Sequence, residues 1–198
     1  MQHPPTISAF QYTPLDLSTS SIRLVRLLPS DRISAPIQCE IFHVQFGEDE
    51  RESQPGYVAL SYVWGDSTTL VDISLNGQPL GITENLHAAL LQLRKRGGDN
   101  IFWIDAICID QSNPRERGHQ VQRMYSIYES AVQVIVWLGP QEEESNLVME
   151  YCRSPRSEAW LERATGRGRQ FRATLALVPL LKRSWFRRIW VRRMKKKK

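Results

Sequence analysis

The side chains best placed for chemistry stand where apolar runs give way to turns. After the run Tyr57–Trp64 comes Gly65-Asp66-Ser67-Thr68-Thr69, and open α/β sheets bind ligands at the carboxyl ends of their strands. There Gly65 permits close approach, Trp64 offers a ring that can stack on a base or a nicotinamide, and Asp66 offers oxygens to ribose hydroxyls. The competing reading is structural, a turn in which Asp66 caps its own backbone and Trp64 packs. Asp105 sits inside the most apolar stretch of the chain, Ile101–Ile109, where an ionised carboxylate needs a partner or takes up a proton. It either bonds across the strand ends or faces the same crevice. Asp110 and Gln111, at the exit of that stretch, line the crevice or simply turn the chain into the next helix.

Other reactive residue types carry less. His119 is the best placed histidine, yet no GxSxG turn supplies a nucleophile for it, and an exposed helical position accounts for it. His43 and His87 are isolated, so no metal site is expected. Cys39, Cys108 and Cys152 are far apart and odd in number, which excludes a disulfide framework and a CxxC knuckle; Cys108 reads as a small buried hydrophobe. The phosphate-cradling GxxxxGK[ST] loop is absent. These patterns assign no catalytic residue and require no cofactor.

Elements must hold these residues in place. Ile22–Leu28 and Ile37–Val44 read as strands that pair as an antiparallel edge, and Tyr57–Trp64 is too continuously apolar to have one wet face. Leu70–Leu75 and Gln78–Ile82 flank Asn76-Gly77, a hairpin signal because both residues tolerate positive φ. Thr83 caps a helix whose buried stripe is Leu86, Ala89, Leu90 and Leu93. Ile101–Ile109 is a central strand. Asn113-Pro114 with Glu116 forms a capping box on a helix whose buried face is Val121, Met124, Tyr125 and Tyr128, and Val132–Leu138 is a further buried strand. Strand, helix, strand, helix, strand predicts an α/β core from Tyr57 to Leu138 with a parallel sheet and right-handed crossovers. Beyond Pro140, Glu142–Cys152 and Glu158–Ala164 read as short helices, Gly166–Arg169 as a basic loop and Phe171–Leu181 as helix-like.

The chain has 198 residues, the size of one ordinary domain, and its 41% hydrophobic content excludes a wholly disordered protein. No apolar run approaches the roughly 20 residues that span a bilayer, and the N-terminus lacks the pattern of a secretory signal; a soluble, cytoplasmic protein is expected. The net charge of +5 is segregated: residues 1–152 carry −9, whereas residues 182–198 hold ten Lys or Arg and no acid. The acidic body argues against a dedicated nucleic-acid protein, although the tail alone would attract phosphates.

Three blocks stand in order: YVALSYVWGD from Tyr57 to Asp66, WIDAICIDQSNPRERGHQVQRMYSIYESAVQVIVWLG from Trp103 to Gly139, and RSWFRRIWV from Arg183 to Val191. In sequence and spacing they resemble the heterokaryon incompatibility (HET) domain of filamentous fungi, a module of proteins that trigger cell death when incompatible hyphae fuse. HET domains are in turn similar to Toll/interleukin-1 receptor (TIR) domains, which share a parallel, flavodoxin-like α/β fold and in some members cleave NAD. The resemblance implies a TIR-like core with flanking helices, to which the N-terminal segments read above add a β hairpin or edge strands. It places Ser61 and Tyr62 in the first TIR box, alongside Trp64, Gly65, Asp66, Asp105 and Asp110 as ligand-binding candidates. NAD is the ligand it implies, and partners are other proteins or copies of the chain. The family continues the last block as Trp-Val, one variable residue, then Gln-Glu, and a Glu at a comparable place carries catalysis in NAD-cleaving TIR domains. Here Met194 stands in its place and Lys195 to Lys198 follow, so the resemblance implies a truncated or frameshifted domain and an inactive site. The resulting division is a disordered lead-in over 1–21, strands and a loop over 22–56, the HET domain over 57–191 and a basic tail over 192–198.

Overall fold

The computed structural model describes residues 10–32, 34–45, 55–96, 100–141, 145, 149 and 178–187, and the chain divides into two units, Met1–Trp137 and Leu138–Lys198. In the first unit, Ile22–Leu27 (β1) and Gln38–Val44 (β2) pair antiparallel, Ile22 opposite Val44 and Leu27 opposite Cys39. Val58–Tyr62 (β3) is buried at every position. Leu70–Leu75 (β4) and Gln78–Thr83 (β5) form the expected hairpin, with Asn76 and Gly77 at φ of 50° and 80°, the left-handed pair that matches the twist of the strands. Glu84–Arg96 (α1) follows at once. Thr83 Oγ1 accepts the Leu86 amide at 3.4 Å, and the stripe Leu86, Ala89, Leu90 and Leu93 is buried as its spacing predicts. Ile101–Trp103 (β6), Asp105–Cys108 (α2), Pro114–Ser130 (α3) and Gln133–Trp137 (β7) complete the unit.

Seven strands form one mixed sheet in the order β5-β4-β2-β1-β6-β3-β7. The fold is α/β, and β3 runs parallel to both of its neighbours, β6 and β7. The antiparallel pair β1–β2 is not at the edge, as its pattern suggested, but inside the sheet: β1 joins β6 antiparallel and β2 joins β4 parallel. The reason is burial. Ile22, Leu24, Val25 and Leu27 are all about 1% exposed or less; burying each such side chain contributes about 1.5–3 kcal/mol, and strands on both flanks complete a burial that an edge position would leave partial.

Three further expectations are corrected. Ile101–Ile109 is not one strand; it is three residues of strand followed by the one-turn α2, in which the Cys108 amide donates to the Ile104 carbonyl at 2.7 Å. A segment buried on all sides has no period to separate strand from helix. The buried face of α3 is Glu116, Gln120, Ile127 and Tyr128, while Val121 and Tyr125 are exposed; two polar residues lead the inward stripe, so an apolar count misplaces it. Finally, β7 is the last strand of the sheet among the described residues, and Val132, Val134 and Val136 are exposed.

Glu116 completes no capping box. Asn113 Oδ1 alone caps α3, accepting the amides of Arg115 and Glu116 at 3.1 and 3.2 Å. The Glu116 carboxylate is buried against Arg23, with bonds of 2.6 and 3.0 Å, and also accepts the Asp110 amide at 2.7 Å. The Arg23 guanidinium further donates to the Cys108 carbonyl, the Thr13 carbonyl and His43 Nε2. The segment read as a lead-in enters the description at Phe10. From there, Tyr12 lies 4.9 Å from the Arg23 guanidinium carbon and donates to the Ile107 carbonyl, Leu15 is buried, and Gln120 and Arg123 donate to the Ser21 carbonyl.

In the second unit, Leu180 is buried with Leu138 packed on it, and Arg183 Nη1 donates to the carbonyls of Leu138 and Pro140, both at 3.0 Å. Residues 178–182 are helical and Ser184–Arg187 forms a 3-10 turn. Of the helix read at 142–152 only Ser145 and Met149 are described, both helical; the loop at Glu48, the helix read at 158–164, the basic loop at 166–169, residues 171–177 and the tail at 192–198 lie outside the described residues. Among the described residues no helix is long and apolar enough to cross a membrane.

Candidate functional site

Parallel strands share an end, so whatever leaves the carboxyl ends of β6, β3 and β7 is brought together. Beyond β3 the chain passes through Val63 to Trp64, which is 38% exposed, and turns at Gly65 with φ of 80°. A Cβ on Gly65 would lie 3.3 Å from Asn85 Cβ, so both the conformation and the close approach require glycine. Beyond β6, Asp105 opens α2. Its Oδ2 accepts the Trp64 indole N–H at 3.0 Å and its Oδ1 accepts the Ala106 amide at 2.8 Å. The carboxylate predicted to need a partner therefore has two, and one of them is the ring predicted to stack.

Asn85, in the first turn of α1, ties the third strand in. Its amide nitrogen donates to the Val63 carbonyl at 2.6 Å, and its oxygen accepts the Trp137 indole N–H at 2.9 Å. One side chain thus joins the ends of β3 and β7 beneath the Gly65 turn. Sequence reasoning passed over Asn85 and Trp137. The signal was present, since Trp137-Leu138-Gly139 repeats the tryptophan-then-glycine exit of Trp64-Gly65, and Asn is a poor helix interior residue whose use in a first turn asks for a reason.

The remaining candidates separate. Asp66 is exposed and closes a local turn: its Oδ1 accepts the Thr68 amide and hydroxyl, both at 2.8 Å, and these bonds hold its carboxyl below the usual range. Asp110 builds the same kind of turn with Ser112 and gives its amide to Glu116. Ser61 and Tyr62 are each about 1% exposed within β3. The structure brings Trp64, Gly65 and Asp105 together at one end of the sheet; Asp110 belongs to the Arg23–Glu116 cluster, and Ser61 and Tyr62 to the interior.

What the arrangement can do follows from what is spent. The Trp64 N–H is engaged by Asp105, so the ring offers its π-face rather than a donor, which suits a flat or apolar group. His119 is half-buried beside Gln120, and Cys108 is a buried thiol pushed up to about 12 by desolvation, a packing residue and not a nucleophile. Among the described residues no group of three His, Cys, Asp or Glu side chains could hold a metal ion.

Comparison with known proteins places this geometry in a family. The family described as heterokaryon incompatibility protein (HET) matches residues 57–193, a range that holds all three strand ends and Asn85. Heterokaryon incompatibility protein 6, OR allele, of Neurospora crassa is 39% identical over 163 residues, covering 73% of this chain and 23% of that protein. The chain thus spans less than a quarter of the length of the curated relative it matches. No solved structure matches. On the family match and this identity, the chain belongs to the heterokaryon incompatibility (HET) family.

Proposed function

We propose that this chain is a cytoplasmic signalling module of fungal heterokaryon incompatibility, which takes part in self/non-self recognition and promotes programmed cell death through protein partners or copies of itself. The observation that carries the reading is the 39% identity to the Neurospora crassa incompatibility protein. The signalling role needs no catalytic carboxylate, only a stable scaffold presenting a surface. Inducible expression of the full chain in a filamentous fungus, with colony growth and vital-dye uptake as readouts, tests it. Growth arrest with dye uptake is the expected result, and normal growth at verified expression overturns the proposal.

One observation favours a second reading, a TIR-like NAD site. Among the three parallel strands alone, the order β6-β3-β7 is the one a second-first-third arrangement of flavodoxin-like sheets would give, and the Trp64 ring held by Asp105 stands at their carboxyl ends, where such sheets bind ligands. On this reading the ring stacks on nicotinamide or adenine, and cleavage is absent because Met194 stands where the resemblance asks for Glu. Titration of the protein with NAD while following tryptophan fluorescence is expected to show saturable quenching that Trp64→Ala abolishes. No quenching, or quenching unchanged in the variant, removes this reading and leaves the first intact.

A further inference from the structure

The outer side of α3 carries Arg117, Val121, Tyr125 and Glu129, each four residues from the next and therefore one continuous row on a helix. All four are exposed, Val121 at 53% and Tyr125 at 59%. We propose that this row is a self-association surface, on which two copies of the chain pair α3 against α3 in opposite directions about a two-fold axis. The proposal gives a site to the self-association in the signalling reading above and rests on that reading only for its purpose.

The argument is one of self-complementarity. A two-fold contact uses the same patch on both copies, so the patch must match its own reverse. This row does. With the axis level with residue 123 along the helix, on the side of Val121 and Tyr125, Val121 of one copy meets Tyr125 of the other, and Arg117 meets Glu129, at both ends alike. A parallel pairing would set Arg117 against Arg117 and Glu129 against Glu129, so charge selects the antiparallel arrangement. Gly118 stands in the neighbouring row, and nothing lies within 4 Å of the place its Cβ would take; the ring of Tyr125 from the second copy enters that gap. Tyr125 already donates to Glu129 Oε1 at 3.2 Å, which holds the carboxylate at the end of the row. Arg117 spends one donor on the Gln111 carbonyl at 3.4 Å, and a guanidinium has five.

Two apolar side chains per copy make a small contact, so the dimer is weak and reversible, at the low end of specific interfaces. Sedimentation of the full chain over a range of concentrations tests it, with thermal unfolding to confirm that each variant is folded. The wild type is expected to dimerise with concentration, less so in high salt. Tyr125→Ala weakens the dimer, and Glu129→Arg weakens it about tenfold, because each reversal acts at two symmetric pairs. The double variant Arg117→Glu with Glu129→Arg restores it. A monomer at every concentration, a dimer indifferent to Tyr125→Ala and Glu129→Arg, or a dimer that Val134→Lys on β7 dissolves in their place overturns the proposal. A dimer with the expected charge-swap rescue in a chain that causes no growth arrest leaves this surface standing and removes the signalling role.

Discussion

Five bonds surround the Arg23 guanidinium, two to Glu116 and one each to Cys108, Thr13 and His43, and their energetics follow from burial. Removing one partner strands the other charge, so Glu116→Ala is expected to cost about 3–5 kcal/mol in urea denaturation. Glu40→Ala is the control: its pair with Arg26 is half exposed, and such pairs contribute about 0–1 kcal/mol. His43 accepts from Arg23 and must be neutral to do so. Burial first, and then the Arg23 charge, hold it below its ordinary 6.5. The unfolded chain therefore binds the proton more readily; this contribution is complete above about pH 6.5 and is lost as pH falls through the depressed value. His43→Gln is expected to flatten the fall of the urea midpoint between about pH 7 and 5. At the candidate site, Asn85→Ala leaves the Val63 carbonyl and the Trp137 N–H without Asn85, at about 1–3 kcal/mol and with a change in tryptophan emission. Trp64, Gly65 and Asp105 were legible in the sequence, because glycine at a strand exit and a carboxylate in an apolar run each break a local rule. Arg23 was not, since a charged residue in a six-residue strand reads as a solvent-facing position until its distant partner is known.

At the scale of elements, legibility followed periodicity. The hairpin and α1 were readable because Asn76-Gly77 and the stripe from Leu86 to Leu93 leave one solution each. The interior position of β1 and β2 was hidden because pairing between distant segments leaves no local trace, and α3 was misread because Glu116 and Gln120 face inward. The same inversion puts Val121 and Tyr125 outside. On β7, Trp137 reaches toward α1, so alternation sets Val132, Val134 and Val136 on the other face of the sheet. Edge strands usually carry a charge or a proline against unwanted pairing, and Gln133–Trp137 has neither. Val134→Lys is expected to leave the unfolding free energy within about 0.5 kcal/mol and to lower light scattering on storage. Equal scattering from both proteins would show that this strand is not the sticky one.

For the whole molecule, the family match and the sheet have different limits. The match begins at residue 57, yet β1 and β2 lie between β6 and β4. A protein starting at Tyr57 lacks the middle of its own sheet and exposes two edges, so residues 57–198 produced alone are expected to be insoluble or to lack the cooperative unfolding of the full chain; a soluble, cooperatively melting fragment would contradict the topology. Synthesis adds a further consequence. Arg26 pairs with Ile101, about 75 residues later, and ribosomes add roughly 5–20 residues each second. For several seconds the nascent β1, with Ile22 and Leu24 on one side and Val25 and Leu27 on the other, has β2 as its one strand neighbour, and its Arg23 waits for Glu116 for longer still.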